Sequence, residues 1–269
     1  VKLSTGLRVS ETRIRGNFTI TNPNFNYSDK ALSTDIFVTD TDKLNDSGYK
    51  SSNAGFSLGT AFEQYDDLFF RPTFRTNYEE LTTNSSASSS LKKQEGSYFT
   101  TEVGYTLDLD KRNQRFQTSE GFQSKFIQRI PIISESDTLL NGYTFDTYHS
   151  FNDVTASLGL YLRAVTGLSD DVRISERVNV PRKRLRGFEA GRIGPVDAND
   201  HIGGNYAASL NFQTNLPFLF SSFQSVDLNY FIDAANVWGV DYSNAVGDSS
   251  HIRSSTGVGL EWFSPIGPF

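Results

Sequence analysis

Apolar and polar residues alternate through almost the whole chain, with the period of two shown by a strand whose faces meet different environments. The clearest runs set Ala156, Leu158, Leu160, Leu162 and Ala164 against Ser157, Gly159, Tyr161 and Arg163, and Ala208, Leu210 and Phe212 against Ser209, Asn211 and Gln213. Val226, Leu228, Tyr230 and Ile232 oppose Asp227, Asn229, Phe231 and Asp233, and Val258, Leu260 and Trp262 oppose Gly257, Gly259 and Glu261. The chain opens in the same way, with Leu3, Thr5, Leu7 and Val9 on one face, followed by a run carrying Ile14, Phe18 and Ile20. Comparable runs lie near 31–39, 52–61, 67–79, 97–108, 120–131 and 143–151, and the clearest ones fill 153–168, 205–215, 225–238 and 253–263. The pattern predicts about twelve strands of roughly 8–15 residues and no helix.

From the second strand onward the connections alternate in length. Asn22–Asp29, Ala61–Asp66, Ser150–Asp153, Leu216–Gln224 and Ser264–Pro268 are shorter, while Asp40–Ser51, Glu79–Gly96, Pro131–Gly142, Ser169–Gly204 and Gly239–Ile252 are longer. Asp108–Glu120 is the long exception in the first set, and the turn near Glu11 the tight exception in the second. Short turns at one rim and long loops at the other mark an outer-membrane β-barrel, whereas a two-sheet sandwich has no reason to sort its loops by parity. In a barrel the apolar stripes face lipid and carboxylates such as Asp227 and Asp233 face inward, because a carboxylate in lipid is costly. The low-complexity run Asn84-Ser85-Ser86-Ala87-Ser88-Ser89-Ser90 reads as a solvated loop tip.

Composition narrows the picture. Only 37% of residues are hydrophobic and the mean hydropathy is −0.41, and no run approaches the ~20 apolar residues of a membrane helix. Aromatics reach 13%, as the girdles of a barrel require. A soluble β-sandwich could share this composition; the parity of the loops favours the barrel. The net charge of −6 argues against a nucleic-acid partner, and the absence of Cys excludes disulfides and thiolate metal sites. The chain has no Met, which predicts a piece of something longer, and Val1–Ser10 already alternates, so nothing there resembles a signal peptide. A barrel has to close. A chain that opens in a strand and stops just after a turn therefore predicts that strands are missing at both ends. The whole of 1–269 reads as a single partial transmembrane barrel domain.

Candidate chemistry gathers in Ser169–Gly204, which breaks the alternation and carries Arg184-Leu185-Arg186-Gly187-Phe188-Glu189 followed by Arg192-Ile193-Gly194-Pro195. Arg offers a permanently charged planar fork, Asp233 is an inward carboxylate, Gly187 permits close approach or positive φ, and Phe188 can anchor the loop. The plain alternative is a solvated basic surface touching lipopolysaccharide phosphates, and for Arg182, Lys183 and Arg192 that reading is favoured.

These motifs resemble those of the BamA family, the barrels that assemble outer-membrane proteins. Arg186-Gly187-Phe188 is similar to that family's loop motif and Gly203-Gly204-Asn205 to the start of its following strand. Phe231-Ile232-Asp233-Ala234-Ala235-Asn236-Val237-Trp238 is similar to its Phe-x-Asp-x-Gly-Asn-Val-Trp strand, with Ala235 in place of Gly. Arg253–Leu260, Ser264–Pro268, Asp108–Gly121 and Thr21-Asn22-Pro23 complete an ordered set across the chain. The resemblance implies a barrel of about 16 strands, of which this chain holds the third to fourteenth, with periplasmic POTRA domains before it. It implies that 169–204 is a long extracellular loop folding into the lumen, where Arg186, Gly187 and Phe188 meet Phe231 and Asp233 of the wall, shaped by Ile193, Gly194 and Pro195. A glutamate common on the preceding strand is replaced here by Asn211 or Gln213, which puts a second acidic partner for Arg186 in question.

The implied function is assembly and insertion of β-barrel proteins into the bacterial outer membrane, without nucleotide or cofactor. The implied partners are unfolded outer-membrane proteins, membrane lipid, lipopolysaccharide and assembly-complex lipoproteins. Two-partner secretion or autotransporter assembly is the nearest alternative, and a passive porin or receptor barrel a further one. No catalytic reading emerges: there is no nucleophile motif or phosphate-binding Gly loop. His149, His201 and His251 lie far apart, which argues against a metal, and the pairs Asp66-Asp67 and Asp170-Asp171 read as turn residues.

Overall fold

The computed structural model describes the chain except residues 29, 136, 217–225, 243–245, 248–250, 265–266 and 269, and gives the backbone alone at 226–227, 261–264 and 267–268. In order the strands are β1 (Lys2–Ser10), β2 (Arg13–Asn22), β3 (Ala31–Lys43), β4 (Tyr49–Tyr65), β5 (Leu68–Thr83), β6 (Gly96–Asp110), β7 (Gly121–Ser134), β8 (Thr138–Phe151) and β9 (Val154–Gly167). They continue with β10 (Val196–Asp197), β11 (Asp200–His201), β12 (Tyr206–Asn215), β13 (Val226–Trp238), β14 (Arg253–Ser264) and β15 (Gly267–Pro268). Each strand from β1 to β9, and then from β12 to β15, pairs with its sequence neighbour, and β9 pairs with β12. The pairings are antiparallel throughout, while β10 and β11 form a separate small hairpin within the β9–β12 connection. Among the described residues the sheet remains open between β1 and β15.

The period-2 pattern creates two unlike faces. Ile36, Val38, Leu58, Phe74, Val103, Leu158, Leu162, Leu210, Phe212, Ile232, Val258 and Leu260 are all exposed, an apolar band running across successive strands. An exposed band of this extent on a water-soluble surface would be an aggregation liability; in lipid it is the stable arrangement. The opposite face is polar and buried: Asp108, Asn211, Asn229 and Asp233 are each at most 9% exposed. It faces the β9–β12 connection, whose side chains reach Glu79 on β5, Asp146 on β8 and Asp233 on β13. One short segment can touch walls that far apart in the sheet order only if the sheet curls around it. The architecture is therefore an up-and-down β-barrel wall wrapped about its own longest loop. The edge strand β1 lacks this contrast, being exposed on both faces apart from Gly6.

The strands are longer than the alternation predicts, and this corrects several connections. Asp40–Ser51 contracts to 44–48, because β3 runs on to Lys43 and β4 starts at Tyr49. Pro131–Gly142 contracts to 135–137, because β7 runs on to Ser134 and β8 starts at Thr138. Beyond the apolar band neither face has to be hydrophobic, so the ladder continues through polar residues that carry no periodic signal. Pro131 sits at a register shift against Thr101 and Glu102, a bulge where a missing N–H is tolerated. The contrast in loop lengths is accordingly weaker than the sequence suggests, and it rests on 84–95, 168–205 and 239–252. The Leu216–Gln224 turn and the faces of Val226, Asp227, Glu261 and Trp262 lie outside the described residues.

Two further expectations fail. A helix does form, α1 (Ser89–Lys92), with the Ser88 hydroxyl accepting the Leu91 N–H at 3.2 Å. The serine-rich run around it is no solvated tip, since Ala87 and Leu91 are buried and the Ser88 hydroxyl donates to Asp197 at 2.5 Å. Leu91, a single apolar residue beyond the low-complexity run, supplies the anchor.

The outward face gives a direct test. Leu210→Arg places a cation in the middle of β12 on the lipid side and is expected to cost ~2–4 kcal/mol in urea unfolding from lipid vesicles. Thr60→Arg, near the end of β4 that faces the short turns, should cost less than half of that.

Candidate functional site

The β9–β12 connection is locally ordered. It leaves β9 at Gly167 and is clipped to its own far end by paired backbone hydrogen bonds between Val178 and Gly204, at 2.8 and 3.1 Å. Pro181 opens a single 3-10 turn, Arg182–Arg184, which ends at Leu185 with extended φ −150°. Leu185 drops into an apolar cluster with Tyr161, Val165, Val172, Val178, Val180, Ile193, Ala207, Ala235 and Val237, against which Phe188 packs. Burying Leu185 leaves its two neighbours, Arg184 and Arg186, to reach polar partners on the wall.

Arg186 meets Asp233 in a fork-to-fork pair, Nε to Oδ2 and Nη2 to Oδ1 each at 2.8 Å. The Arg186 backbone N–H donates to the same Oδ2 at 3.0 Å, and the Asn211 amide donates to Oδ1 at 2.8 Å. Asp233 is fully buried, so its charge has exchanged solvent for four donors, the condition under which a buried carboxylate is tolerated. The Arg186 guanidinium lies 3.8 Å from the Phe231 ring centroid, a close cation–π contact. Its Nη1 donates to the Gln213 side-chain oxygen at 2.6 Å. Where the resemblance implies a glutamate, two amides thus divide the work: Gln213 accepts from Arg186, and Asn211 ties Asp233 to the Arg184 carbonyl at 2.8 Å.

Two glycines make the seat. Gly187 has φ +83°, a left-handed turn that lets the chain double back after Arg186. Gly257 on β14 faces Phe231, and a Cβ there would come within 2.9 Å of its ring. Ile193 and Pro195 are buried, and Gly194, with φ +100°, passes so near β13 that a Cβ would sit 2.8 Å from Val237. The structure thus brings Arg186, Gly187, Phe231 and Asp233 to one point. Phe188 lies in the adjoining apolar cluster, and Ile193, Gly194 and Pro195 lie farther along the same wall.

A second fork was not legible in the sequence. Arg184 pairs with Asp146 of β8, both hydrogen bonds at 2.8 Å. Gly159, beside them on β9, leaves the space that the guanidinium fills. The signal available was that Asp146 falls on the inward register of β8, but several other charges do too. Arg182 and Lys183 are exposed, while Arg192 pairs with Asp46 at 2.7 Å and with Glu189 at 3.4 Å. Below the clasp lies a cavity of about 440 Å3 lined by Arg112, Lys183, Arg184, Arg186, Asn211 and Gln213 among others. Among the described residues no three His, Cys, Asp or Glu side chains gather in a way that could hold a metal ion. What this arrangement does is hold: two forks of the loop grip two walls.

A family model for the Omp85 superfamily domain matches residues 1–269. The chain belongs to the Omp85 superfamily. It is 27% identical over 227 residues to the outer membrane protein assembly factor BamA of Neorickettsia risticii (strain Illinois), covering 81% of this chain and 30% of that protein. The chain therefore spans less than a third of that relative's length. Its fold matches the crystal structure of BamA from Haemophilus ducreyi lacking POTRA domains 1–3 with a TM-score of 0.86 at 19% identity, over 99% of this chain and 59% of that one. CdiB from Acinetobacter baumannii matches with a TM-score of 0.53 at 11% identity, over 97% of this chain and 52% of the other. The chain is a BamA-like β-barrel of the outer membrane.

Removing one partner of a buried pair leaves the other uncompensated, so Arg186→Ala and Asp233→Ala are each expected to destabilise the folded barrel by ~3–5 kcal/mol. The double variant should be far less than additive in thermal or urea unfolding; simple additivity would mean that the two side chains do not act as a unit.

Proposed function

We propose that this chain is the membrane barrel of an outer-membrane protein assembly factor, and that loop 169–204 is its internal brace. Membership of the Omp85 superfamily over the full 269 residues carries the reading, and the curated relative that bears the name of an assembly factor supports it. On this reading the clients are unfolded outer-membrane proteins. Their strands pair with the exposed edge at the barrel seam, and backbone hydrogen bonding and burial drive insertion in place of a nucleotide. Membrane lipid, lipopolysaccharide and accessory lipoproteins are the surroundings in which it works.

The geometry supports a brace better than a client-binding or catalytic group. Asp233 has no exposed surface, and the Arg186 donors are spent on Asp233, Gln213 and the face of Phe231. Such a group can hold a wall in shape but has no free valence for a passing strand. In this role Arg186, Gly187, Phe188, Phe231 and Asp233 keep the loop seated, and Ile193, Gly194 and Pro195 fix its return path. A barrel of the same fold that handles one dedicated client is the second reading, and CdiB shares the fold.

Full-length protein containing this barrel, reconstituted in liposomes without nucleotide, separates the readings when urea-denatured barrel proteins of several kinds are added. Accelerated folding of most of them, scored by protease protection, is expected, and Arg186→Ala should slow it. Acceleration of one client alone would establish the dedicated role. A steady ion conductance with no acceleration, unchanged by deleting residues 184–195, would make it a passive pore.

A further inference from the structure

A second cavity, of about 380 Å3, lies between the inner faces of β2 to β9 and the loop, and shares no lining residue with the first. Six arginines line it: Arg13 and Arg15 from β2, Arg75 from β5, Arg129 from β7, and Arg173 and Arg177 from the loop. Three carboxylates face them, Glu79, Glu102 and Glu176. Asp35 and Asp241 meet Arg15 and Arg177 from outside the lining, each at 3.4 Å, and the cations still outnumber the acids.

The pairing here is unlike that of the Arg186 clasp. Glu102 stands 4.0 Å from Arg75 and 3.5 Å from Arg129, while Arg173 has Glu79 at 3.4 Å and Glu176 at 3.1 Å. The Glu79 oxygens are already engaged by the Ser51 and Ser175 hydroxyls at 2.6 and 3.1 Å, and Glu176 accepts from Thr138 at 2.6 Å. In consequence Nε and Nη1 of Arg173, Nε of Arg75 and Nη1 of Arg177 are buried with no hydrogen-bond acceptor. Arg173 and Arg177 are only 4% and 7% exposed. Buried guanidinium N–H groups left without acceptors are costly, and several of them converging on one space call for an acceptor there.

The donors are also held in place. Arg75 and Arg15 stack on the Phe37 ring at 4.4 and 5.2 Å, and Arg173 stacks on Tyr98 at 3.9 Å. Groups fixed in this way lose little further freedom when they capture a ligand. A tetrahedral dianion offers several acceptor oxygens and the charge that several guanidinium forks require.

We infer that this cavity is a binding site for a free phosphate-class oxyanion, which bridges the wall arginines Arg75 and Arg129 to the loop arginines Arg173 and Arg177. The sheet separates the cavity from the lipid-facing surface, so a small soluble anion is the fitting source and a lipid headgroup is not. The bound anion would be a second fastening of the loop, made by ionic bridging where the Arg186 clasp is made by direct pairing.

The test uses full-length protein in detergent micelles, titrated with inorganic phosphate against sodium chloride at matched ionic strength. Calorimetry should show saturable phosphate binding, with a parallel rise in unfolding temperature that chloride does not reproduce. Arg173→Gln should weaken binding by about tenfold or more, since it removes charge-assisted hydrogen bonds. Asn53→Asp removes no arginine but adds a competing carboxylate to the lining, and should abolish phosphate binding while the barrel keeps its heat-modifiable migration. Arg182→Gln, at an exposed loop position, should bind phosphate as the parent does. Non-saturable heats equal to those of chloride would overturn the proposal, as would undiminished binding in a folded Asn53→Asp barrel. A parallel titration with short-chain phosphatidic acid that bound instead of inorganic phosphate would overturn the free-anion assignment.

Discussion

A peptide group in lipid has no water to bond, so every N–H and C=O in the span must find its partner within the sheet. This constraint sets everything else about the chain. It demands long antiparallel ladders, which force alternate side chains to opposite faces, and the lipid claims one face for apolar residues. The other face inherits what lipid refuses, namely Asp108, Asn211, Asn229 and Asp233, together with the arginines of β2, β5 and β7. A polar inner wall is thus the by-product of an apolar outer one. Inside, the problem becomes one of matching charges in a confined space. The β9–β12 loop meets it by bringing guanidinium groups to carboxylates that would otherwise face one another across the lumen.

The loop is held by two kinds of force at separate places. Leu185, Ile193 and Phe188 pack with residues of β9, β12 and β13, while Ile174 and Ile202 join Tyr49, Leu81, Ala87 and Leu91 in a second cluster near β4, β5 and α1. These contacts are non-directional and set only where the loop lies. The forks Arg184–Asp146 and Arg186–Asp233 are directional and set its register, because a planar guanidinium matches a carboxylate in one orientation. Apolar burial brings the loop to the wall, and the charge pairs choose which residues meet.

The outward face was legible because lipid imposes the same rule on every strand, so Leu158, Leu210, Ile232 and Val258 repeat one signal at a fixed spacing. Asp233 and Arg186 were legible because short motifs around both bear a family resemblance. Where no such rule operates the sequence is silent. Asp40–Lys43 and Tyr49–Ser52 pair as strand beyond the membrane band, where Tyr49 alone of them joins an apolar cluster and no alternation marks the run. The packing of α1 turned on one residue, Leu91. The Arg184–Asp146 pair joins residues 38 apart whose only shared property is to face inward, and Asn211 gains its part only because β12 lies beside β13 in this register. Pairings of this kind belong to the three-dimensional arrangement and leave no periodic trace in the chain.

Gly159 and Gly257 belong to the wall, yet their missing side chains are the moulds into which Arg184 and Phe231 fit. The address of the loop is therefore written partly on the opposite surface, as absence. A substitution at Gly159 leaves every loop residue unaltered and still presses on the Arg184 guanidinium, so genetically it would behave as a lesion of a segment it does not belong to. Lock and key have to drift together here, strand with loop for Gly159 and Arg184, and strand with strand for Gly257 and Phe231.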